Sequence, residues 1–329
     1  MPDRASRGWR VSTVVTACAI ASAATLAIAQ ATPGRPIRIV VPFPPGASPN
    51  DVTARILGPK LAEQMHEQVV IDNRPGAAGT IGTDIVAKST PDGHTLLINS
   101  TTLTIVPNAY KSLPFDPYRD LAPISLVAAA PQLIMVNMTV PVVNLKELIA
   151  YVKAHPGQLK FSSGGNGTVP HLAGELLNHM AGLQMVHIPY KGGAPAGAAM
   201  LGGEVQMYID TATGSLGYIK AGKVRVLGVA AKRRTALLPD VPTVAEAGLA
   251  GYEVVVWYGF FAPAKTSKAL VQTLYRQFKT ALEQPDVQTR FAAIGTDTVG
   301  STPEEFTRVF HDDLRRWGKF IQEAGLQLE

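Results

Sequence analysis

A two-lobed α/β protein is the fold class that this sequence predicts, and three observations predict it. Apolar strand-like runs alternate with helical patterns almost to the C-terminus, the order that builds parallel sheets covered by helices. Four strand-to-helix junctions, residues 42–51, 73–82, 162–171 and 190–196, consist almost wholly of small, polar or proline residues. Two long extended runs, 121–137 and 252–263, join blocks whose alternation is complete without them, so they read as crossings between lobes. A chain of 329 residues is also too long for one small domain and comfortable for two.

The first thirty residues stand apart from this pattern. Arg4, Arg7 and Arg10 precede a weakly apolar stretch, 11–29, that ends Ala27-Ile28-Ala29, the form of an export signal cleaved near Ala29. A membrane anchor is the alternative, disfavoured by the stretch's Ser, Thr and Ala content. Cys18, the only cysteine, sits in a lipoprotein-like box, but the apolar run before it is too short for lipidation to be expected. After cleavage no disulfide is possible, and stability must come from the core.

The rest reads strand 37–41, helix 52–68, strand 69–72, helix 80–87 and strand 95–99, a βαβαβ unit. In such sheets ligands bind at the carboxyl ends of the strands. The run 121–137, interrupted by Pro131, leads to helices 145–154 and 171–181, strand 185–188, helix 195–201 and strands 205–209 and 224–230. The run 252–263 returns, and three helices follow, 269–282, 287–294 and 303–323, the last with Thr302 as N-cap and Glu305 three residues on. The expected organisation is a signal peptide 1–29, lobe one from 30–130 and 253–329, and lobe two from 131–252, with a cleft between the lobes.

Composition and motifs exclude several functions. A net charge of +5 with 17% charged residues implies no polyanionic partner, and Lys232-Arg233-Arg234 reads as a solvated loop, so no nucleic acid is expected. No G-x-S-x-G nucleophile elbow occurs. The P-loop-like stretch 217–224 has Val224 where a Mg²⁺-binding hydroxyl is needed and leads into a strand. His171, His179 and His187 are eight apart, which is not ligand spacing, so no metal or other cofactor is expected. Glu304-Glu305 and Asp312-Asp313 read as solvated helix faces beside Arg315 and Arg316.

The glycine-rich junctions remain. A helix start leaves backbone N–H groups unpaired at the positive end of the helix dipole, so an anion is held there without a cationic side chain. The first junction offers Ser48 and Asn50, each able to cap the following helix or to bind. The second offers close backbone approach at Gly76 and Ala78, while its nearest cation, Arg74, is expected to pair with Asp72. Ser100, Thr101 and Thr102 end the third strand and fit a binding edge or a plain turn. Ser163, Asn166, Gly167 and Thr168 lie in a loop whose glycines free the backbone for an N–H nest. Tyr190 and Lys191 add a phenol and a cation. Asp210, expected directly after strand 205–209, could orient water, pair with a ligand amine, or merely cap a helix at 214–221. Tyr110, Phe115, Trp257 and Tyr258 are further aromatics for which core packing is the default.

Five ordered stretches, 42–57, 73–97, 162–177, 189–210 and 238–263, resemble the signatures of Bug-type extracytoplasmic solute receptors of tripartite tricarboxylate transporters. The likeness spans the whole mature chain. It implies a class II periplasmic-binding fold, two α/β lobes joined by two crossover strands, that closes on small dicarboxylates, tricarboxylates, acidic amino acids or aromatic acids. It places ligand contacts at Ala47, Ser48 and Asn50 and at Ser163, Asn166, Gly167 and Thr168, and a water-orienting acid at Asp210. It implies a monomer in the periplasm that docks on membrane permease subunits. Where many members read PGGSTD, this chain has an extra residue and Pro49. A receptor that signals to a partner protein without transport is the alternative. A lyase or deaminase using Lys191 or Asp210 is the enzymatic one, opposed by the missing nucleophile, metal set and base.

Overall fold

The computed structural model describes residues 35–46, 48–110 and 112–326. The signal segment, Cys18 and Ala47 lie outside the described residues.

Lobe one starts with β1 (Ile37–Val41), α1 (Pro49–Met65), β2 (Val69–Asn73), α2 (Thr80–Ala87), β3 (Thr95–Ser100) and α3 (Thr102–Ala109). β1 lies parallel between β2 and β3, and β3 is buried along its whole length, as a strand covered on both faces must be. The chain then runs through β4 (Leu121–Asn137), 17 residues that serve both lobes. Its first part, to Pro131, pairs antiparallel with β9 (Val255–Pro263), and its second part pairs with β7 (Met207–Thr211) and β8 (Val224–Val229). Pro131 has no N–H to give, and the ladder resumes at once: the Gln132 N–H donates to the Val254 carbonyl at 3.0 Å. Val254 in turn donates to Ala230, so the returning strand is tied to lobe two just before it enters lobe one.

Lobe two contains α4 (Leu145–Ala154), β5 (Lys160–Ser163), α5 (Val169–Ala181), β6 (Val186–Pro189), α6 (Gly193–Leu201) and α7 (Ala212–Lys220) around β7. β5 pairs parallel with β6 and β7. Helices α8 (Lys268–Leu282), α9 (Pro285–Ala293) and α10 (Pro303–Glu323) return to lobe one, and β10 (Asp297–Thr298) joins β4. Among the described residues the strand path is β2-β1-β3-β9-β4-β7-β5-β6, with β8 and β10 both on β4. One core layer packs Val40, Leu97, Trp257 and Phe261 against Phe306 and Phe310 of α10; another packs Met135, Tyr208 and Val229 against Met200.

The capping box expected at Thr302 and Glu305 is present, and α2 spans the expected 80–87. Other boundaries moved for local reasons. α1 opens three residues early because Pro49, with its φ preset for a helix, sits in the first turn, and it stops at His66 in a left-handed conformation. α3 is a helix where the sequence offered a turn: its Thr, Ile, Val and Pro107 favour helix weakly, and it is buried on nearly every side. β5, with one large apolar residue in four, left no strand signal. β7 is displaced by two, so Asp210 lies within a strand instead of after it.

The crossover strand depends on Gly259. A Cβ there would stand 2.1 Å from Cζ of Phe306. Gly259→Ala is expected to lower stability by about 1–3 kcal/mol through overpacking, read as a lower urea midpoint at unchanged slope, and Phe306→Leu should recover part of the loss.

Candidate functional site

The carboxyl ends of the strands of both lobes face a cavity of about 700 Å³. The loop after β1 is braced from behind by Asp51. Its carboxylate accepts hydrogen bonds from Gly46 N–H at 2.9 Å, Arg55 Nε at 2.8 Å and Asn73 Nδ2 at 2.9 Å. Burial alone would raise the Asp51 carboxyl, but these donors outweigh it and hold it below the usual carboxylate value. Fixed in this way, the loop presents Ser48 and Asn50 to the cavity. Ser48 stands at the N-cap of α1, yet its side chain makes no capping bond. Asn50 is 4% exposed, and its Oδ1 has no hydrogen-bond partner.

The second junction carries unusual backbone. Gly76, Ala77, Ala78 and Gly79 all have positive φ, 45° and 50° at the two alanines. A left-handed conformation costs an L-residue about 1–2 kcal/mol, so the strain at Ala77 and Ala78 marks a segment held for a purpose. All four residues line the cavity. Arg74 pairs with Asp72 at 3.0 Å, as expected from sequence. After β3, Ser100 and Thr102 line the cavity, whereas the Thr101 hydroxyl is turned to the crossover strand and accepts from Trp257 N–H at 3.1 Å.

From lobe two, Asn166 and Thr168 line the cavity together with Gly164 and Gly165. Ser163 and Gly167 do not; they shape the loop from beneath. Ser163 Oγ accepts from Gly165 N–H at 3.1 Å and lies 2.6 Å from His187 Nε2. Gly167 N–H donates to His171 Nδ1 at 3.2 Å. The rings of His171 and His187 stack at 3.7 Å. Burial pushes His171 down to about 4, and burial together with the neighbouring His171 pushes His187 down to about 3, so both are neutral props near pH 7. The close Ser163–His187 contact is not a nucleophile pair facing a substrate, because Ser163 is fully buried off the cavity.

Tyr190 lines the cavity, but its hydroxyl donates to Glu204 at 2.8 Å; burial and that carboxylate push it up to about 12. Lys191 is exposed at the rim and has no ion-pair partner among the described residues. Asp210 is half-buried and open to the cavity. Its oxygens accept from Thr211 N–H at 2.8 Å and from the Tyr208 hydroxyl at 3.0 Å. Burial nevertheless pushes the carboxyl up to about 6. A Cβ at Gly214 would sit 2.2 Å from Asp210 Oδ2, so glycine there gives the carboxylate its room. Among the described lining residues, Lys191 and Asp210 are the charged ones.

Gln132, Thr211, Phe43 and Tyr208 are not among the residues the sequence nominates for the site, and Tyr258 is core there by default; all five line the cavity. Tyr110 lines it too, while Phe115 and Trp257 are core. The lobes come together at its mouth: side chains at Gly167 and Gly192 would lie 3.2 Å from Ala109 and 3.6 Å from Pro44. Gln132 sits where β4 changes partners, directly after the Pro131 that interrupts the run.

Residues 53–326 match the model of the tripartite tricarboxylate transporter family receptor. The chain is 40% identical over 327 residues to a protein of the tcbD-tcbE intergenic region in a Pseudomonas species, covering 99% of this chain and 97% of that one. It is 36% identical over 303 residues to protein BugT of Bordetella pertussis, covering 92% and 93%. Among solved structures it resembles periplasmic binding protein BugD, with a TM-score of 0.83 and 35% identity over 90% of this chain and 99% of that one. Rpa4515 of R. palustris with adipate gives 0.85 and 31% over 90% and 99%. MatC of Rhodopseudomonas palustris with bound malate gives 0.82 and 31% over 87% and 99%.

Proposed function

This chain belongs to the receptor family of tripartite tricarboxylate transporters, the Bug-type periplasmic binding proteins, and from that membership we propose that it captures a small carboxylate between its lobes and delivers it to a membrane permease. The observation that carries the reading is the cavity itself. Glycine-rich loops of both lobes surround it with hydroxyls and amides, while the one cation among its described lining residues is Lys191, an exposed side chain. Such a donor set suits one or two carboxylates better than a phosphate or a polyanion, which calls for clustered arginine or lysine. Adipate and malate in the related structures support the same class of ligand.

In this reading the ligand is held by Ser48, Asn50, Gly76, Ala78 and Ser100 from lobe one and by Asn166, Thr168, Tyr190 and Lys191 from lobe two. Thr101, Ser163 and Gly167 act as supports of those loops, and Asp210 orients ligand or water from the floor. Lobe two corresponds to 131–252, and the chain is exported with its signal removed near Ala29. It works as a monomeric receptor and not as an enzyme. No described helix is long and apolar enough to cross a membrane. Capture works by hinge closure: a ligand that touches both lobes favours the closed state by its differential affinity. Small-angle scattering should therefore show a smaller radius of gyration with a saturating ligand than without, and deletion of the gene should abolish uptake of that acid. Unchanged scattering at saturation would contradict closure; undiminished uptake would contradict delivery.

A further inference from the structure

The cavity floor holds polar groups that the structure leaves unanswered. Gln132 is 1% exposed, lines the cavity, and its Oε1 has no hydrogen-bond partner. Thr211 stands directly opposite it in the antiparallel β4–β7 pairing and is also 1% exposed and cavity-lining; its hydroxyl makes no close hydrogen bond and has the cavity-lining Tyr258 phenol as its neighbour. Directly paired residues project to the same face with Cβ atoms about 4.5–5.5 Å apart, so the two side chains form one polar spot. Asp210, the preceding residue of β7, lines the same cavity. The surroundings are apolar and stiff: Phe43, Val169 and Val256, with prolines from both lobes, among them Pro42 and Pro195.

Buried amide and hydroxyl groups are nearly always paired, so the unmet Gln132 Oε1, with the Thr211 hydroxyl across from it, calls for a partner that arrives from outside. A second carboxylate does not fit that role. It would set more acceptors and a like charge against Asp210 and Gln132 Oε1. A hydroxyl fits, since it donates to an amide or carboxylate oxygen and accepts from Thr211 or the amide N–H; an amine serves as a donor alone.

Building on the receptor reading, we propose that Gln132 and Thr211 are specificity-determining residues that select carboxylic acids bearing a hydroxyl or amino substituent over the same acids without it. The loops hold the carboxylate, the apolar walls take the carbon skeleton, and the floor reads the substituent. A site built to hydrogen-bond a substituent discriminates strongly against its absence, because the floor groups are then left unpaired.

The test is calorimetric titration of the wild-type chain and of Gln132→Met and Thr211→Val with matched acids: succinate and malate, 3-phenylpropionate and 3-phenyllactate, propionate and alanine. In at least one pair the substituted acid should bind wild type about tenfold tighter or more, and each near-isosteric variant should reduce that preference to about threefold or less. Equal binding of both members in wild type would overturn the inference and assign the floor to ordered water. So would variants that weaken both members alike. If neither member of any pair binds a folded wild-type protein that native mass spectrometry shows to be empty, the receptor reading fails and the inference with it; binding without preference overturns the inference alone.

Discussion

Asp210→Asn is expected to stabilise the unliganded protein by about 2 kcal/mol at pH 8, although it removes the carboxylate from the floor of the cleft. Burial pushes that carboxyl up to about 6 from an ordinary 3.8. One unit corresponds to about 1.4 kcal/mol, so the whole shift is worth about 3, reduced to about 2 because the group still meets cavity solvent. The folded value lies above the unfolded one, so wild type has its full stability below pH 4 and loses it as the pH rises through 6. The variant's advantage should thus be near zero at pH 4 and reach a plateau above pH 7. Asparagine can replace the carboxylate sterically. Its oxygen can accept from Thr211 N–H, and the Tyr208 hydroxyl can accept from its amide. Urea unfolding at pH 4.5 and 8 measures the gap, and a variant no more stable than wild type at pH 8 would contradict this assignment. A binding site that sacrifices stability for function is the ordinary reason for such a group.

The second large effect appears on the acid side. In the Asp210→Asn background, lowering the pH from 7 to 4.5 is expected to cost about 2.5 kcal/mol through His171 alone. Burial depresses His171 to about 4, and burial and His171 depress His187 to about 3, both from 6.5. The unfolded chain therefore takes up these protons first. Stability from the pair is complete above pH 6.5 and is lost as the pH falls toward 4. In wild type the rise of Asp210 protonation over the same window opposes this slope and flattens the profile. Protonation also removes the Nδ1 lone pair that accepts from Gly167 N–H, so the lobe-two loop loosens as the fold weakens. His171→Asn keeps an acceptor near that position and removes the titration. Against the Asp210→Asn background it should shrink the pH 7 to 4.5 difference by about 2.5 kcal/mol. Using the difference cancels the constant cost of the smaller side chain. An unchanged difference would contradict the role given to the pair.

Much of this was legible from residue pattern. Strand 37–41, helix 80–87 and the Thr302–Glu305 capping box follow from apolar runs and end signals whose physics is local. The glycine-rich junctions announced the cavity because small residues are costly in a chain that does not need close backbone approach. What sequence left unread depends on distant partners. Thr101 and Thr102 are neighbours of one type, and only the approach of Trp257 turns the first away from the cavity. Ser163 and Gly167 belong to the right loop, but His187 and His171, from β6 and α5, claim them from below. Gln132 gave no local signal, because its place on the floor is set by where β4 changes sheets.

The central claim, a carboxylate held between the lobes, is tested most directly by thermal unfolding of the purified chain against mono-, di- and tricarboxylates, acidic amino acids and aromatic acids. An acid present at about 100 times its Kd should add about 2.7 kcal/mol and raise the midpoint by several degrees. No shift with any acid, together with native mass spectrometry showing that the protein was purified empty, would contradict it.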